Sequence, residues 1–121
     1  MEQKKQIAFH FGRWGEDAAC LYFRLKGYRI VKRNHRSPFG EIDIIAKRRQ
    51  TLVFIEVKSR ARLDDALNSL SFYQQKRITN AAKSFLSANP RYCGCETRFD
   101  FLAISAKNWP KHIENAWLDE T

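Results

Sequence analysis

Three charged residues interrupt two apolar runs in the middle of this 121-residue chain. The stretch from Gly40 to Arg60 reads GEIDIIAKRRQTLVFIEVKSR, and Asp43, Glu56 and Lys58 stand among its β-branched residues. Charged side chains beside a core need partners, because desolvating an unpaired charge is costly. Asp43 and Glu56 supply hard oxygen ligands, which suit Mg²⁺ or Mn²⁺ with waters completing the shell. A divalent ion beside a phosphodiester polarises a phosphoryl oxygen and generates hydroxide from bound water. Lys58, two residues beyond Glu56, would share its face and orient that water or offset developing negative charge. The plainer alternative is a ladder of Glu and Lys across a half-exposed hairpin.

Those three residues can meet only if the stretch is a β-hairpin. The runs Ile42–Ala46 and Leu52–Val57 are strand-like, and Lys47 to Thr51 is a polar, basic spacer. A turn centred between Arg49 and Gln50 sets Asp43 opposite Glu56 and Glu41 opposite Lys58. Opposed side chains have Cβ atoms about 4.5–5.5 Å apart. Two carboxylates that close repel unless a cation or a proton lies between them.

The remaining elements frame this hairpin. Residues from about Gly12 to Lys26 are predicted to be a helix, with Phe11, Trp14, Ala18, Leu21, Tyr22 and Leu25 on its core face and Gly27 as its stop. Glu16 falls off that stripe, beside Gly12, Ala19 and Phe23. It is either a solvated first-turn glutamate, favoured by the helix dipole, or a carboxylate looking across small residues into a site. Tyr28 to Arg33 is predicted to be a strand and Asn34 to Phe39 a loop. Asp64 to Ala88 is predicted to be mostly helical, capped by Asp64 or Asp65 and broken near Asn68–Tyr73. Arg98 to Ile104 is predicted to be the last strand.

Composition bounds the reading. The length suits one domain, residues 1–121, with 105–121 as a C-terminal tail. Hydrophobic residues make up 44% of the chain, enough for a core. A net charge of +9 favours an anionic partner, most simply nucleic acid. Cys20, Cys93 and Cys95 form neither a disulfide framework nor a zinc set, so reduced thiols in a cytoplasmic protein are expected. The N-terminal residues lack a signal-peptide apolar region, and no run is long enough to span a membrane. His10, His35 and His112 are scattered and are expected at the surface or in loops.

Asp43 followed by Glu56-Val57-Lys58 resembles the signature of the restriction-endonuclease-like, or PD-(D/E)xK, superfamily. GRWGEDAA, GYRIVKRNHRSPFGEIDIIA, LVFIEVKSR and RFDFLAI resemble the YraN family, a bacterial family of predicted endonucleases similar to archaeal Holliday-junction resolvases. The resemblance runs from about Gly12 to Ile104, and HIENAW fits the family's close. It implies that Asp43, Glu56 and Glu16 are metal ligands and that Lys58 is catalytic with them. It places Gln75 beside the site from the second helix, although this chain has Gln74-Gln75 where the family often has Lys-Gln.

The expected fold is therefore α/β: a restriction-endonuclease-like mixed sheet flanked by helices, in the order αβββαβ, with a parallel crossover before the last strand. The expected function is Mg²⁺- or Mn²⁺-dependent endonuclease action on DNA, including branched DNA, with a homodimer favoured where two strands are cut. Lys32, Arg33, Arg36, Arg48, Arg49, Arg60, Arg62, Lys76 and Arg77 are the candidate nucleic-acid contacts. No base-reading motif is present, so phosphate and shape recognition are expected. The rivals are a non-catalytic nucleic-acid-binding module and an interaction protein in which the same carboxylates serve only structure.

Overall fold

In a computed structural model, residues 2–119 are described, with side chains described from Trp14 onward. The elements are α1 (Glu2–Leu25), β1 (Arg29–Ser37), β2 (Gly40–Arg48), β3 (Thr51–Ser59), α2 (Leu63–Leu67), α3 (Phe72–Ala88), a 3-10 turn (Pro90–Tyr92), β4 (Glu96–Ile104) and β5 (Lys111–Trp117). The five strands form one sheet in the order β1-β2-β3-β4-β5. The first three are an antiparallel meander, β3 and β4 run parallel, and β5 returns antiparallel to β4. This is a restriction-endonuclease-like mixed sheet between helices.

Period-two alternation sends side chains of each strand to opposite faces. Val53, Ile55, Leu102 and Ile104 pack under α1 with Ala19, Cys20 and Phe23. Leu52, Phe54 and Phe99 pack under α3 with Ile78, Ala82 and Phe85. Helix α2 covers Phe101 and Ala103 on that second side. The β3–α2–α3–β4 connection is the helical crossover that parallel neighbours require.

Four expectations are corrected. Residues 111–117 are not a tail but the edge strand β5, anchored by Trp117. That indole stacks on Phe99 at 5.2 Å and donates to Thr79 Oγ1 at 3.0 Å. Strand β1 runs on to Ser37 through what was read as a loop, with Asn34 at positive φ. Helix α1 buries the face of Ala19, Cys20 and Phe23, while Leu21 and Leu25 are 57% and 80% exposed. Small residues let the helix lie close to the sheet, which the large apolar stripe would not. Gly15 marks the contact: a Cβ there would run into Ser59 Oγ and lie 3.0 Å from Ser59 Cβ. Phe11 lies outside the described side chains. Finally, neither Asp64 nor Asp65 caps α2; Arg62 holds that position without a side-chain bond.

The predicted break is present at Asn68–Ser71, where α3 begins with a capping box. Ser71 Oγ accepts from the Gln74 amide at 3.1 Å, and Gln74 Oε1 accepts from the Ser71 amide at 3.3 Å. Among the described residues, no helix is long and apolar enough to cross a membrane. The three cysteines are free thiols.

Candidate active site

The β2–β3 register follows from a turn at Arg49-Gln50, with Arg49 at the positive φ that a tight hairpin turn uses. Arg48 pairs with Thr51, Ala46 with Val53 and Ile44 with Ile55. The ladder ends there, and the next register step brings Asp43 towards Glu56. Instead of a further strand–strand pair, Asp43 Oδ2 accepts the Val57 amide at 2.8 Å. The two strands thus part around an acidic floor. Lys58 Nζ lies 3.2 Å from Glu56 Oε1, and both side chains are mostly buried.

These residues floor an open cleft of about 380 Å³, whose other lining is Glu41, Gln74, Arg77 and Ile78. Burial and the Glu56 carboxylate push the Asp43 carboxyl up to about 8, with a smaller push from Glu16. The Val57 amide and Lys58 oppose that shift. Burial also raises Glu56, against the ammonium of Lys58 and a hydrogen bond with Asp43. Both carboxyls are thus pushed up, so the pair resists double ionisation, and Glu56 leans on Lys58.

Glu16 reaches this site from α1. The corrected helix orientation puts Ala19 and Phe23 against the sheet, and the close contact of Gly15 with Ser59 brings the neighbouring Glu16 within electrostatic reach of Asp43. Its carboxylate lies 3.9 Å from Arg33. Among the described residues, no three metal-ligating side chains are already gathered into one cluster. Asp43 and Glu56 form the immediate pair, and Glu16 acts on Asp43 electrostatically from α1.

Gln75 is not beside the acidic floor. It lines a separate cavity of about 360 Å³ with Phe72, Thr79 and Trp117, across α3 from the site. Gln74 occupies the cleft rim instead, because the capping box fixes the rotation of the first helical turn. The Gln-Gln repeat gave no signal to choose between them.

The basic candidates divide. Arg77 lines the cleft, whereas Lys76, exposed on α3, lines the separate cavity with Gln75. Arg60 and Arg62 follow the site end of β3, and Arg36 is exposed 4.0 Å from Glu41. Lys32 is exposed on β1. Arg33 is engaged: it bonds Asp17 at 2.9 Å and faces Glu16. Arg48 and Arg49 are at the far end of the hairpin, about 17 Å from Asp43 at the usual strand rise. Arg48 lies over the Tyr28 ring at 4.4 Å and donates to the Lys26 carbonyl, so it braces the fold.

A second charged cluster went unread in the sequence. Asp100, fully buried on β4, accepts from Arg98 Nε and a terminal guanidinium nitrogen, each at 2.8 Å, and from the Asn115 amide at 3.0 Å. His112 Nε2 lies 2.7 Å from it, so this histidine is an interior residue rather than a surface one. His35 likewise packs its ring edgewise on Phe85. The side chain of His10 lies outside those described. An aspartate inside RFDFLAI was the available signal for the Asp100 cluster.

Comparison with known sequences identifies the family. A family model described as "Uncharacterised protein family UPF0102" matches residues 15–104, which include all four proposed site positions. A UPF0102 protein of Nitrobacter winogradskyi is 47% identical over 110 residues, 91% of this chain and 93% of the relative. One from Rhodopseudomonas palustris strain BisB18 is 46% identical over 114 residues, covering 94% and 84%. One from Mesorhizobium japonicum is 42% identical over 113 residues, covering 93% and 90%.

Proposed function

The chain belongs to the UPF0102 family, which is the YraN family, and from that premise we propose that it is a metal-dependent DNA endonuclease. The observation that supports this most is the convergence of Asp43, Glu56 and Lys58 on one cleft floor, with Asp43 pushed up to about 8. Two carboxylates whose repulsion is met by a held proton fit a hard divalent cation that keeps most of its waters. Asp43 and Glu56 would hold Mg²⁺ or Mn²⁺, with Glu16 adding negative charge from α1. When bound, the cation supplies the positive charge that polarises a phosphodiester.

The chain's own residues carry the rest. Lys58 presents an ammonium at the floor, where it offsets negative charge on a phosphoryl oxygen and orients the attacking water. Arg77 offers a phosphate contact at the rim. The finer reading, action on branched DNA by a homodimer with paired sites, rests on the likeness to junction resolvases and on a two-strand cut.

A panel of linear, nicked, flapped and four-way DNA substrates tests this reading, with Mg²⁺, Mn²⁺ or EDTA. Metal-dependent cleavage lost in both Asp43→Asn and Lys58→Ala is the expected result. Cleavage that survives both substitutions, or none on any substrate, removes the nuclease reading.

A further inference from the structure

Beside the acidic cleft are exposed aromatic rings that the nuclease site does not use. Tyr73 is 67% exposed and Phe39 is 50% exposed, although the sheet offers two cores where rings can be buried. Tyr73 contacts Arg77, which itself lines the cleft, and Phe39 precedes Gly40, whose backbone packs against Arg77. The Arg77 guanidinium lies 5.8 Å from the Tyr73 ring centroid, and one of its nitrogens donates to Tyr73 Oη at 3.4 Å. The stem of Arg77 lies against the β1–β2 turn: a Cβ on Gly40, the residue after Phe39, would sit 3.2 Å from Arg77 Cβ. The capping box at Ser71 and Gln74 fixes the first turn of α3, so the backbone that carries Tyr73 is held in place.

We propose that Tyr73 and Phe39, with Arg77 beside them, form a stacking platform for an unpaired base of DNA next to the phosphate that enters the acidic cleft. Single-stranded DNA alternates planar bases with anionic phosphates, and this rim sets the exposed Tyr73 ring beside the Arg77 cation. Bases stack on aromatic faces regardless of sequence, which agrees with a rim that lacks a base-reading motif. In an uninterrupted duplex the bases are stacked on each other and cannot reach the rings. The platform therefore selects DNA in which a strand leaves the duplex, such as a flap, gap or branch. An acidic peptide fits less well, since it has cations to meet but no planar groups for the rings. The proposal rests on the DNA-directed reading of the cleft and adds what the rim recognises.

The test is binding without metal, in EDTA, so that turnover plays no part. The probe is a duplex with a short single-stranded flap carrying 2-aminopurine, compared with an uninterrupted duplex of the same length. Wild-type protein should quench the 2-aminopurine fluorescence on binding. The double variant Phe39→Ala/Tyr73→Ala should lose the quenching and bind the flap about tenfold more weakly, with duplex affinity changed less than about twofold. The variant Tyr73→Phe keeps the ring and should keep the quenching, which separates stacking from a folding defect. Duplex and flap binding without quenching, or equal losses on both DNAs, overturns the platform while leaving the nuclease reading in place. Absence of any DNA binding by the wild type overturns both.

Discussion

Asp43 Oδ2 accepts the backbone amide of Val57 at 2.8 Å, one step past the last β2–β3 pair, Ile44 with Ile55. The carboxylate thereby substitutes for a strand contact while facing a second carboxylate, Glu56. An asparagine can keep the amide contact through its carbonyl and is neutral in both states, so folding no longer requires the proton uptake that Asp43 needs beside Glu56. In EDTA near pH 7, Asp43→Asn should therefore melt several degrees above wild type, an effect of about 1–2 kcal/mol. Mn²⁺ should raise the melting temperature of wild type and leave the variant nearly unchanged. A variant that melts well below wild type in EDTA would make Asp43 a structural residue.

The same carboxyl gives a pH dependence. Folded Asp43 holds its proton up to about 8, whereas the unfolded chain releases it near 3.8. Between those values the folded state binds more protons, so the metal-free stability contributed by this group falls as pH rises. Above about 8 the loss is complete and the dependence flattens. Denaturant melts of wild type and Asp43→Asn from pH 5 to 9 should diverge over that window, with wild type losing more.

Metal binding should show the complementary trend. A cation must displace the proton, so apparent Mn²⁺ affinity should climb between pH 6 and 8, by up to about tenfold per unit, and then level off. Calorimetric titration at four pH values measures this. A flat affinity across the range would mean that Asp43 does not surrender a proton to the metal.

What the sequence made legible follows from how local each feature is. The hairpin register is set by a two-residue turn and two β-branched runs, so Asp43 and Glu56 could be paired from spacing alone. Strand β5 was hidden because KHIENAW is a polar edge strand whose pairing with β4 depends on contacts distant in sequence. The α1 face was misread because Leu21 and Leu25 are apolar but exposed, whereas the close helix–sheet contact uses Gly15, Ala19 and Cys20. Glu16 was still singled out, because it was placed beside Ala19 and Phe23, the face that packs on the sheet. The choice between Gln74 and Gln75 turned on about 100° of helix rotation, fixed by a capping box that had not been read.

Asp100 should matter to stability rather than to cleavage. Burial alone would raise its carboxyl, but hydrogen bonds from His112, Arg98 and the Asn115 amide hold it below the usual value. Asp100→Asn takes away the buried charge that Arg98 bonds at 2.8 Å, leaving it only the exposed Glu114 at 4.0 Å, and should cost about 3–5 kcal/mol. Because the folded value is depressed, this stabilisation is present above the unfolded value of 3.8 and is lost as pH falls through the folded one. Urea melts should show a large loss for the variant at pH 7 and a smaller difference at pH 3.

Gly15 should prove intolerant of a side chain. A methyl group there meets Ser59 and pushes α1, with Glu16, away from the end of β3. Gly15→Ala should lower the melting temperature and weaken Mn²⁺ binding together. Gly94→Ala, where nothing lies within 4 Å, is the matched control and should change neither. Equal behaviour of the two variants would mean that α1 does not depend on close approach at this point.

The basic residues should separate by position rather than by charge. Arg77 stands at the cleft, so Arg77→Ala should weaken DNA binding across sequences and reduce the salt dependence by about one phosphate contact. Arg48 instead lies over Tyr28 and bonds the Lys26 carbonyl. Arg48→Ala should cost about 1 kcal/mol of stability through the lost ring contact and hydrogen bond, with little change in DNA affinity. Binding isotherms from 50 to 300 mM salt, paired with thermal melts, measure both quantities for both variants. If Arg48→Ala reduces the salt slope as much as Arg77→Ala does, DNA runs along the whole hairpin and the bound surface is not centred on the acidic cleft.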